Sequence, residues 1–286
     1  MSIKKIVVTG GSGKAGRAVV KDLVAHGYEV INVDILPSKE DLGVPFVPVD
    51  LNKFSEVLEV LKGQDAVVHL AAIPAPGIKS EEETFSNNIL STYNVFQAAC
   101  DLQLKKVVWA SSETILGLPF EIADPVYAPI DEKSPLLPES SYSLTKVLGE
   151  EMARQFHRRY NIPFLGLRFS NIMEPHDYQK FPEYQKDPSS RQWNMWGYID
   201  AADAAQSCRK ALEAPLNKAD FYIIAAEDTC MTKANQDLLA QYFPNTKIAK
   251  STLSPRETLL SIDKAREELD FQPQWTWEKR LKALNL

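Results

Sequence analysis

Residues 5–16, KIVVTGGSGKAG, decide the fold of this chain. A short apolar stretch runs into a group of glycines, and the amphipathic stretch RAVVKDLVAHG follows at 17–27. A strand, a glycine turn and a helix in this order are typical of a dinucleotide-binding βα unit. Glycine permits a turn with positive φ, lets backbone approach a pyrophosphate and lets the helix pack on the strand. The phosphates would bind the free N–H groups at the start of the helix.

The glycines of this turn fit two spacings. Gly11, Gly13 and Gly16 give GxGxxG, whereas Gly10, Gly13 and Gly16 give GxxGxxG. The turn is not a kinase-type P-loop, because Ala15 follows the lysine where that motif requires Ser or Thr. Motifs elsewhere in the chain must therefore show which of the two sets of glycines forms the dinucleotide-binding motif.

Length, charge and cysteine content limit the function classes. The chain has 286 residues, 44% of them hydrophobic, which suffices for one large α/β domain or for one domain with a small lobe. A net charge of −6 argues against a nucleic-acid or anionic-membrane partner. No stretch approaches the ~20 apolar residues of a membrane span. Three scattered cysteines without metal or redox spacing predict a cytoplasmic protein, and the histidines predict no metal site.

Apolar strands alternate with helices over the first two thirds of the chain. This alternation predicts an α/β fold, a Rossmann-like doubly wound parallel sheet in the strand order 3-2-1-4-5-6, with ligand above the carboxyl ends of the strands. We expect an NAD-binding domain at 1–171, and a substrate loop with a small C-terminal lobe and sheet-completing segments at 172–286. The predicted strands after the first are 28–34, 44–50, 65–72, 105–112, 163–171 and 220–226, and the predicted helices are 52–63 (with Asn52 as N-cap), 82–102 and 141–160.

Asp34 ends the second predicted strand, at the position where an acidic side chain accepts hydrogen bonds from the adenosine ribose hydroxyls. A carboxylate there repels a 2′-phosphate. No arginine follows in Ile35-Leu36-Pro37, so the sequence favours NAD over NADP.

Tyr142 and Lys146 lie four residues apart near the start of a predicted helix and therefore share a face. A nearby ammonium lowers the pKa of a phenol, so this pair could exchange a proton with a substrate hydroxyl. Ser111-Ser112 ends the fifth predicted strand at the ligand edge, where a hydroxyl can polarise a reacting C–O bond.

Six segments occur in the order seen in extended short-chain dehydrogenases, the NAD-dependent epimerase/dehydratase family. The chain resembles that family over almost its whole length, including its tail, SIDKAREELDFQPQWTWEK. The resemblance implies NAD-dependent hydride transfer at a carbinol of a sugar or sugar-acid-sized substrate. The segments are TGGSGKAG, HLAA, NNILST, WASSETILG, YSLTK and LRFSN.

The resemblance also implies roles for individual residues. Tyr142 would be the catalytic acid/base, Lys146 would bind the nicotinamide ribose, and Ser112 would be the catalytic serine. The GxxGxxG spacing would operate, with Gly11 as a secondary turn residue. Further cofactor contacts are expected from Gly10, Gly13, Lys14, Ala15, Gly16, Asp50, Leu51, Ala71, Ala72, Asn88 and Ser111.

The chain departs from the larger nucleotide-sugar enzymes of the family in its substrate region. Fewer than thirty residues separate Asn171, expected to face substrate, from Tyr198, where those enzymes have a long insert. We therefore expect a substrate smaller than a UDP-sugar. In outline the chain is similar to uronate dehydrogenase, which implies that Arg191 clamps a carboxylate; a solvated loop arginine is the alternative. Glu113 would repel a substrate carboxylate or need a proton beside it, so it favours a neutral sugar or polyol-like substrate whose hydroxyls it binds.

Three questions stay open at the level of sequence. The enzyme could be a dehydrogenase, or an epimerase such as UDP-glucose 4-epimerase that keeps its NAD tightly bound. A non-catalytic NAD-sensing regulator on the same fold is a third possibility. Homodimerisation through the two long helices is common in the family and is expected only on that ground.

Overall fold

A seven-stranded parallel sheet forms the centre of the computed structural model, which describes residues 3–285. The strands of the chain are β1 (Lys5–Thr9), β2 (Glu29–Asp34), β3 (Phe46–Pro48), β4 (Ala66–His69), β5 (Lys106–Ser112), β6 (Tyr127–Ala128), β7 (Phe164–Phe169), β8 (Ile172–Met173), β9 (Ile199–Asp200), β10 (Ala219–Ile224) and β11 (Lys247–Ile248). The sheet has the order β10-β7-β5-β4-β1-β2-β3, and β6 pairs with β11 and β8 with β9 outside it. The predicted fold and strand order are confirmed, and β10 extends the sheet beyond β7.

Helices cover both faces of this sheet. They are α1 (Lys14–Ala25), α2 (Phe54–Leu61), α3 (Glu81–Asp101), α4 (Ser141–Tyr160), α5 (Phe181–Lys186), α6 (Ala201–Glu213), α7 (Asn235–Tyr242), α8 (Asp263–Leu269) and α9 (Trp277–Leu284). α1 packs against α6 on one face, while α3 packs against α2 and α4 on the other. The sheet and its helical layers therefore draw on both predicted domains, since β10 and α6 come from the C-terminal one.

The side chains of β1 illustrate why a buried parallel strand is apolar throughout. Ile6 and Val8 join the hydrophobic core under α1 and α6, whereas Val7 joins the core under α3 and α4. Successive residues of a strand point to opposite faces, so each of these positions meets a different helical layer.

α4 begins where the sequence predicted because its first turn is capped locally. The Ser140 hydroxyl accepts a hydrogen bond from the Ser143 N–H at 3.1 Å, and the Ser143 hydroxyl accepts one from the Ser140 N–H at 2.9 Å. This reciprocal capping satisfies two N–H groups that a helix start leaves open. It fixes Tyr142 in the first turn, at the carboxyl edge of the sheet.

Two local predictions are wrong. α2 begins at Phe54 after Lys53, so Asn52 is not its N-cap. Within residues 3–285 the Asn52 side-chain oxygen, the atom that would cap the helix, has no hydrogen-bond partner, and the amide nitrogen donates to Asn87 on α3 at 3.0 Å. The stretch after β8, predicted as a loop, contains 3₁₀ helices at Pro175–Lys180 and Pro188–Asn194, with α5 between them. Three of its aromatic side chains, Tyr178, Phe181 and Trp196, are fully buried and anchor these short helices.

Candidate active site

Three side chains predicted to be catalytic converge at the carboxyl edge of the sheet. Ser112 ends β5, and its hydroxyl faces the Tyr142 phenol closely enough to lower the phenol pKa. The Lys146 ammonium lies 5.6 Å from the centre of the Tyr142 ring and donates to the Ala110 carbonyl at 2.8 Å. All three of these side chains are buried. The four-residue spacing on α4 and the capped helix start produce this convergence.

Ser112 is oriented by its neighbour Thr114. Its hydroxyl oxygen accepts hydrogen bonds from the Thr114 N–H at 3.2 Å and from the Thr114 hydroxyl at 2.9 Å. A serine hydroxyl has two acceptor sites and one proton, so both acceptor sites are filled. The proton of Ser112 is left to donate towards Tyr142 or a bound oxygen.

Burial dominates the proton affinities of the catalytic pair. It raises the pKa of Tyr142 to about 12, with the charge of Glu113 acting in the same direction and the Ser112 hydroxyl opposing it. Burial also lowers the pKa of Lys146 to about 8. The expected lowering of the phenol pKa by Lys146 is therefore not found: burial and the Glu113 charge set the direction, and only the Ser112 hydroxyl opposes them.

The glycine turn is crowded on its protein side. Gly10 has a φ of +69°, and a Cβ on it would lie 2.6 Å from the Ala71 nitrogen. A Cβ on Gly16 would lie 2.1 Å from the Gly10 carbonyl oxygen, whereas one on Gly13 would lie 3.2 Å from that oxygen. Side chains at Gly10 and Gly16 are excluded by the turn itself. At Gly13 the protein leaves more room for a Cβ, so glycine is needed there mainly because a bound pyrophosphate would lie against the turn.

Gly11 is more than a secondary turn residue. A Cβ on it would lie 2.3 Å from the Asn32 side-chain oxygen, so Gly11 allows β2 to approach the turn. At the end of the same strand, the Asp34 carboxylate accepts from the Ser12 N–H at 3.1 Å and the Ile35 N–H at 2.7 Å. Asp34 therefore lies beside the turn, where a ribose bound there would meet it.

Other expected cofactor residues lie in the loops that follow the strands. The Asn88 amide accepts from the Ile73 N–H at 2.8 Å and donates to the Ile73 carbonyl at 3.0 Å, which fixes the loop of Ala71 and Ala72. The Leu51 carbonyl is held by Asn94 at 2.8 Å. Asp50 precedes Leu51 and accepts from the Asn52 N–H at 3.0 Å.

Of the remaining expected cofactor residues, Lys14 and Ser111 have side chains that already bond to other protein groups. The Lys14 ammonium pairs with Asp177 at 2.6 Å and donates to the Ile172 carbonyl at 3.2 Å, so it connects α1 to the substrate region. Ala15 follows it in the first turn of α1. The Ser111 hydroxyl donates to Glu150 at 2.8 Å and is already used within the protein.

The expected substrate residues Glu113, Asn171 and Arg191 gather around one buried cluster. Arg191 donates to the Asn171 side-chain oxygen at 3.3 Å and to the Gly197 carbonyl at 2.8 Å. The positive charge of Arg191 acts on Glu113, which accepts from Asn194 at 3.3 Å.

Arg191 is not a solvated loop residue, and two of its N–H groups already bond within the protein. Its side chain is buried, and the guanidinium lies over the rings of Tyr184 and Trp193 at 5.3 and 5.0 Å. Together with its two hydrogen bonds, these ring contacts hold the Arg191 guanidinium in place inside the protein.

Sequence reasoning missed residues that only the folded chain brings to the site. Asn194 and Ser170 face Glu113, and no local pattern marks them. Glu150 pairs with Arg168 beneath the catalytic residues. The signal for this pair is the charged Arg168 in an otherwise apolar strand, because such residues are buried only when paired.

Residues 6–225 match the sequence model of the NAD dependent epimerase/dehydratase family. The chain belongs to this family. The expected recognition and the NAD cofactor are confirmed, and the family placement makes the protein an enzyme. The glycine cradle and the Asp34 carboxylate fit the adenosine diphosphate half of NAD, and the Ser112–Tyr142–Lys146 cluster is the part suited to chemistry at a carbinol.

Relatives of this family member include a dehydrogenase and an epimerase. It is 28% identical over 220 residues to L-arabinose 1-dehydrogenase (NAD(P)(+)) of Haloferax volcanii, covering 74% of this chain and 84% of the relative. It is 28% identical over 176 residues to UDP-glucose 4-epimerase of Lactobacillus helveticus, covering 59% of this chain and 52% of that enzyme. The match therefore spans about half the length of the epimerase.

The fold of this family member is also that of glucuronic acid dehydrogenase from Chromohalobacter salexigens. The two structures have a TM-score of 0.71 at 21% identity, covering 99% of this chain and 89% of the other. These three proteins are named for a sugar, a nucleotide sugar and a sugar acid, whereas a further structural neighbour, a partial consensus L-threonine 3-dehydrogenase, has a TM-score of 0.74 at 20% identity, covering 98% of this chain and 97% of the other. In the described range 3–285, no helix is long and apolar enough to cross a membrane. Over the same residues, no group of three or more His, Cys, Asp or Glu side chains could hold a metal ion.

Proposed function

We propose that this protein is an NAD-dependent dehydrogenase that oxidises a hydroxyl of a small, neutral, free sugar. The observation that carries the proposal is the convergence of the Ser112 and Tyr142 hydroxyls next to Lys146 at the carboxyl edge of the sheet. That edge adjoins the glycine turn, since β1 and β4 are neighbours in the sheet and β4 pairs with β5.

In this mechanism, Ser112 donates a hydrogen bond to the substrate oxygen and holds the carbinol against Tyr142. The phenolate form of Tyr142 accepts the hydroxyl proton as the C–H bond breaks. Burial disfavours this form in the protein alone, and the Lys146 ammonium, 5.6 Å from the ring centre, is the charge that would oppose burial. NAD⁺, when bound, supplies the hydride acceptor. The glycine turn would hold the pyrophosphate of this cofactor, and Asp34 would hold its adenosine ribose.

The buried state of Arg191 supports a neutral substrate. Two of the five N–H donors of Arg191 already bond to Asn171 and Gly197, and the guanidinium lies over two aromatic rings, so it is less available to a substrate carboxylate than an unbonded arginine would be. Glu113 beside Ser112 would also repel a substrate carboxylate in its ionised form.

The short substrate region supports a small substrate. Residues 172–197 fold into compact helices whose aromatic side chains fill the lobe. The similarity to L-arabinose 1-dehydrogenase, of which 84% is covered, favours a free aldose over a nucleotide sugar.

A screen of NAD⁺ reduction tests the proposal. Wild-type protein is assayed with neutral aldoses including L-arabinose, with uronates, with polyols and with UDP-glucose, and Tyr142→Phe is the matched control. We expect NADH formation with at least one neutral aldose and loss of it in Tyr142→Phe. Faster turnover of a uronate, or equal turnover by the variant, would contradict the proposal.

The second candidate is an epimerase that returns the hydride to its substrate, favoured by the match to UDP-glucose 4-epimerase. Such an enzyme does not release its NAD between turnovers. Mass spectrometry of the purified protein with tightly bound NAD, together with micromolar UDP affinity and no net NADH, would select this candidate.

A homodimer and a cytoplasmic location complete the proposal. Apolar side chains are exposed on two helices that pack side by side, Leu90 and Tyr93 on α3 and Leu144 and Leu148 on α4. Such a face suits a second copy of the chain. Light scattering should give a dimer that Leu148→Glu dissociates. The three buried free cysteines suit a reducing compartment, which fractionation of cells would test.

A further inference from the structure

The side chain of Arg17 lies close to the acidic group that is expected to select NAD. Ser12 in the glycine turn contacts both: its N–H donates to the Asp34 carboxylate at 3.1 Å, and its carbonyl accepts from Arg17 Nη1 at 2.9 Å. An arginine near this acid is the feature that accommodates the 2′-phosphate of NADP. The three residues after Asp34 include no arginine, but the fold brings one from α1 to the same residue of the turn.

Two carboxylates already neutralise Arg17. Its Nη2 donates to Glu174 Oε1 at 2.5 Å, and its Nε lies 3.3 Å from Glu40 Oε1. With Nη1 on Ser12, each of the three guanidinium nitrogens has an oxygen close by. The two acids come from different parts of the chain, because Glu174 belongs to the substrate region and Glu40 to the loop after β2, the strand that Asp34 ends.

Lys21, about one helical turn beyond Arg17 on α1, holds Glu40 in place. Its Nζ donates to Glu40 Oε2 at 2.9 Å. This hydrogen bond lowers the pKa of the Glu40 carboxyl below its ordinary value of 4.5, so the group is charged at neutral pH. Both contacts of Glu40 are far shorter than the ~8 Å screening length at physiological salt. The charge of Glu40 therefore acts on Arg17 and Lys21 in solution.

These contacts determine what a phosphate beside Asp34 would meet. Arginine is the usual partner of a phosphate, because its planar N–H donors match the phosphate oxygens. The contacts bring three carboxylates, Asp34, Glu40 and Glu174, together with two cations, Arg17 and Lys21. A 2′-phosphate would therefore gain little from Arg17 while Glu40 is paired with it.

We propose that Glu40 is a specificity-determining residue for the cofactor: by pairing with Arg17, it withholds that guanidinium from the 2′-phosphate of NADP⁺. Asp34 would repel the phosphate directly, whereas Glu40 acts through Arg17, so the preference for NAD⁺ has two separable sources. The inference rests on NAD as the cofactor in the proposed function and on no property of the substrate.

Competition between the two dinucleotides tests this without turnover. The protein is equilibrated with NAD⁺ and a hundredfold excess of NADP⁺, and native mass spectrometry gives the ratio of the NADP complex to the NAD complex. We expect Glu40→Gln to raise this ratio about tenfold over the wild type, the effect of one released charge-assisted contact. Asp34→Asn should raise it by a similar factor, and the double variant Asp34→Asn/Glu40→Gln by about a hundredfold.

Two further variants separate the pairing from other effects of the substitution. Asp41→Asn is the matched control, since it removes the same charge from the neighbouring residue, whose carboxylate accepts from the Gly43 N–H at 2.8 Å. It should keep the wild-type ratio. Arg17→Gln/Glu40→Gln should return to within about twofold of the wild type, because the released guanidinium is then missing. The Glu40 side chain is 46% exposed, so Glu40→Gln leaves no buried gap and should fold.

An unchanged ratio in Glu40→Gln would overturn the proposal, as would an equal rise in Asp41→Asn or a rise that persists without Arg17. Salt supplies a second readout: the gain in Glu40→Gln should shrink between 50 and 500 mM NaCl, because screening shortens from about 14 to about 4 Å, and a gain that does not change with salt would be contrary evidence. Since no substrate is needed, failure of the proposed sugar oxidation would leave this test decisive, and an unchanged ratio would leave the sugar oxidation standing.

Discussion

Glu150 on α4 and Arg168 on β7 form a buried two-point ion pair. Arg168 Nε and Nη2 donate to the two carboxylate oxygens of Glu150 at 2.8 and 2.9 Å, and the Ser111 hydroxyl donates to the same carboxylate at 2.8 Å. Glu150 lies one helical turn beyond Lys146. The pair and the Ser111 hydroxyl therefore hold α4, which carries Tyr142 and Lys146, against β5 and β7.

Glu150→Gln should destabilise the protein strongly, because it leaves the Arg168 charge buried without a counter-ion. Removing one partner of such a pair costs about 3–5 kcal/mol. The exposed neighbour provides a control: Glu151→Gln should cost less than about 1 kcal/mol. Urea denaturation of both variants measures the difference, and equal midpoints would show that the pair contributes little.

Tyr142→Phe should lower kcat by roughly 10²–10⁴-fold, the usual contribution of a positioned acid/base. The ring and its packing remain, so NAD⁺ affinity measured by isothermal titration should stay within about twofold. Thr114→Val, which removes one hydrogen bond to Ser112, should lower kcat by a smaller factor. Near-normal turnover of Tyr142→Phe would show that the Tyr142 hydroxyl does not transfer the proton.

Gly16→Ala and Gly13→Ala should separate folding from cofactor binding. A Cβ at Gly16 meets the Gly10 carbonyl oxygen at 2.1 Å, so the ligand-free protein should lose about 2 kcal/mol or more of stability. At Gly13 the nearest atom is 3.2 Å away, so stability should change by less than about 1 kcal/mol. NAD⁺ affinity should nonetheless fall at least about tenfold, because the new methyl group obstructs the pyrophosphate. Unchanged affinity in Gly13→Ala would place the pyrophosphate elsewhere.

Asp65 should make stability depend on pH in acid. Its carboxylate pairs with Lys105 and accepts from the Lys5 and Lys4 N–H groups, which together lower its pKa from 3.8 to about 2. The folded-state pKa is depressed, so the stabilisation is present above about pH 4 and is lost as the pH falls through about 2.

The variant Asp65→Asn measures this contribution. It should be less stable than the wild type at pH 7 by about 1 kcal/mol, a value reduced for the partial exposure of the group. The difference should shrink steadily below pH 4. Asp41→Asn, on an exposed turn, is the control, and a constant difference for Asp65→Asn down to pH 2 would exclude a role for its charge.

Local sequence signals predicted those features that neighbouring residues decide. The predicted helix 141–160 coincides with α4, because Ser140 and Ser143 cap it within four residues. The strand order followed from apolar strands, short connections and the handedness of crossovers. Where a side chain bonds across the fold, the local signal failed: Asn52 looked like a helix cap, but its amide binds Asn87 on another helix.

By itself, the sequence determined the sheet and the glycine turn, because strand periodicity and turn chemistry are local properties. Catalytic roles for Ser112, Tyr142 and Lys146 came from the resemblance to the family and stay a prediction. Only the tertiary structure decided that Arg191 is committed inside the protein, that burial raises the proton affinity of Tyr142, and that Glu113 contacts Asn194. Desolvation and long-range pairing depend on which distant segments pack together, and no short stretch of sequence encodes that packing.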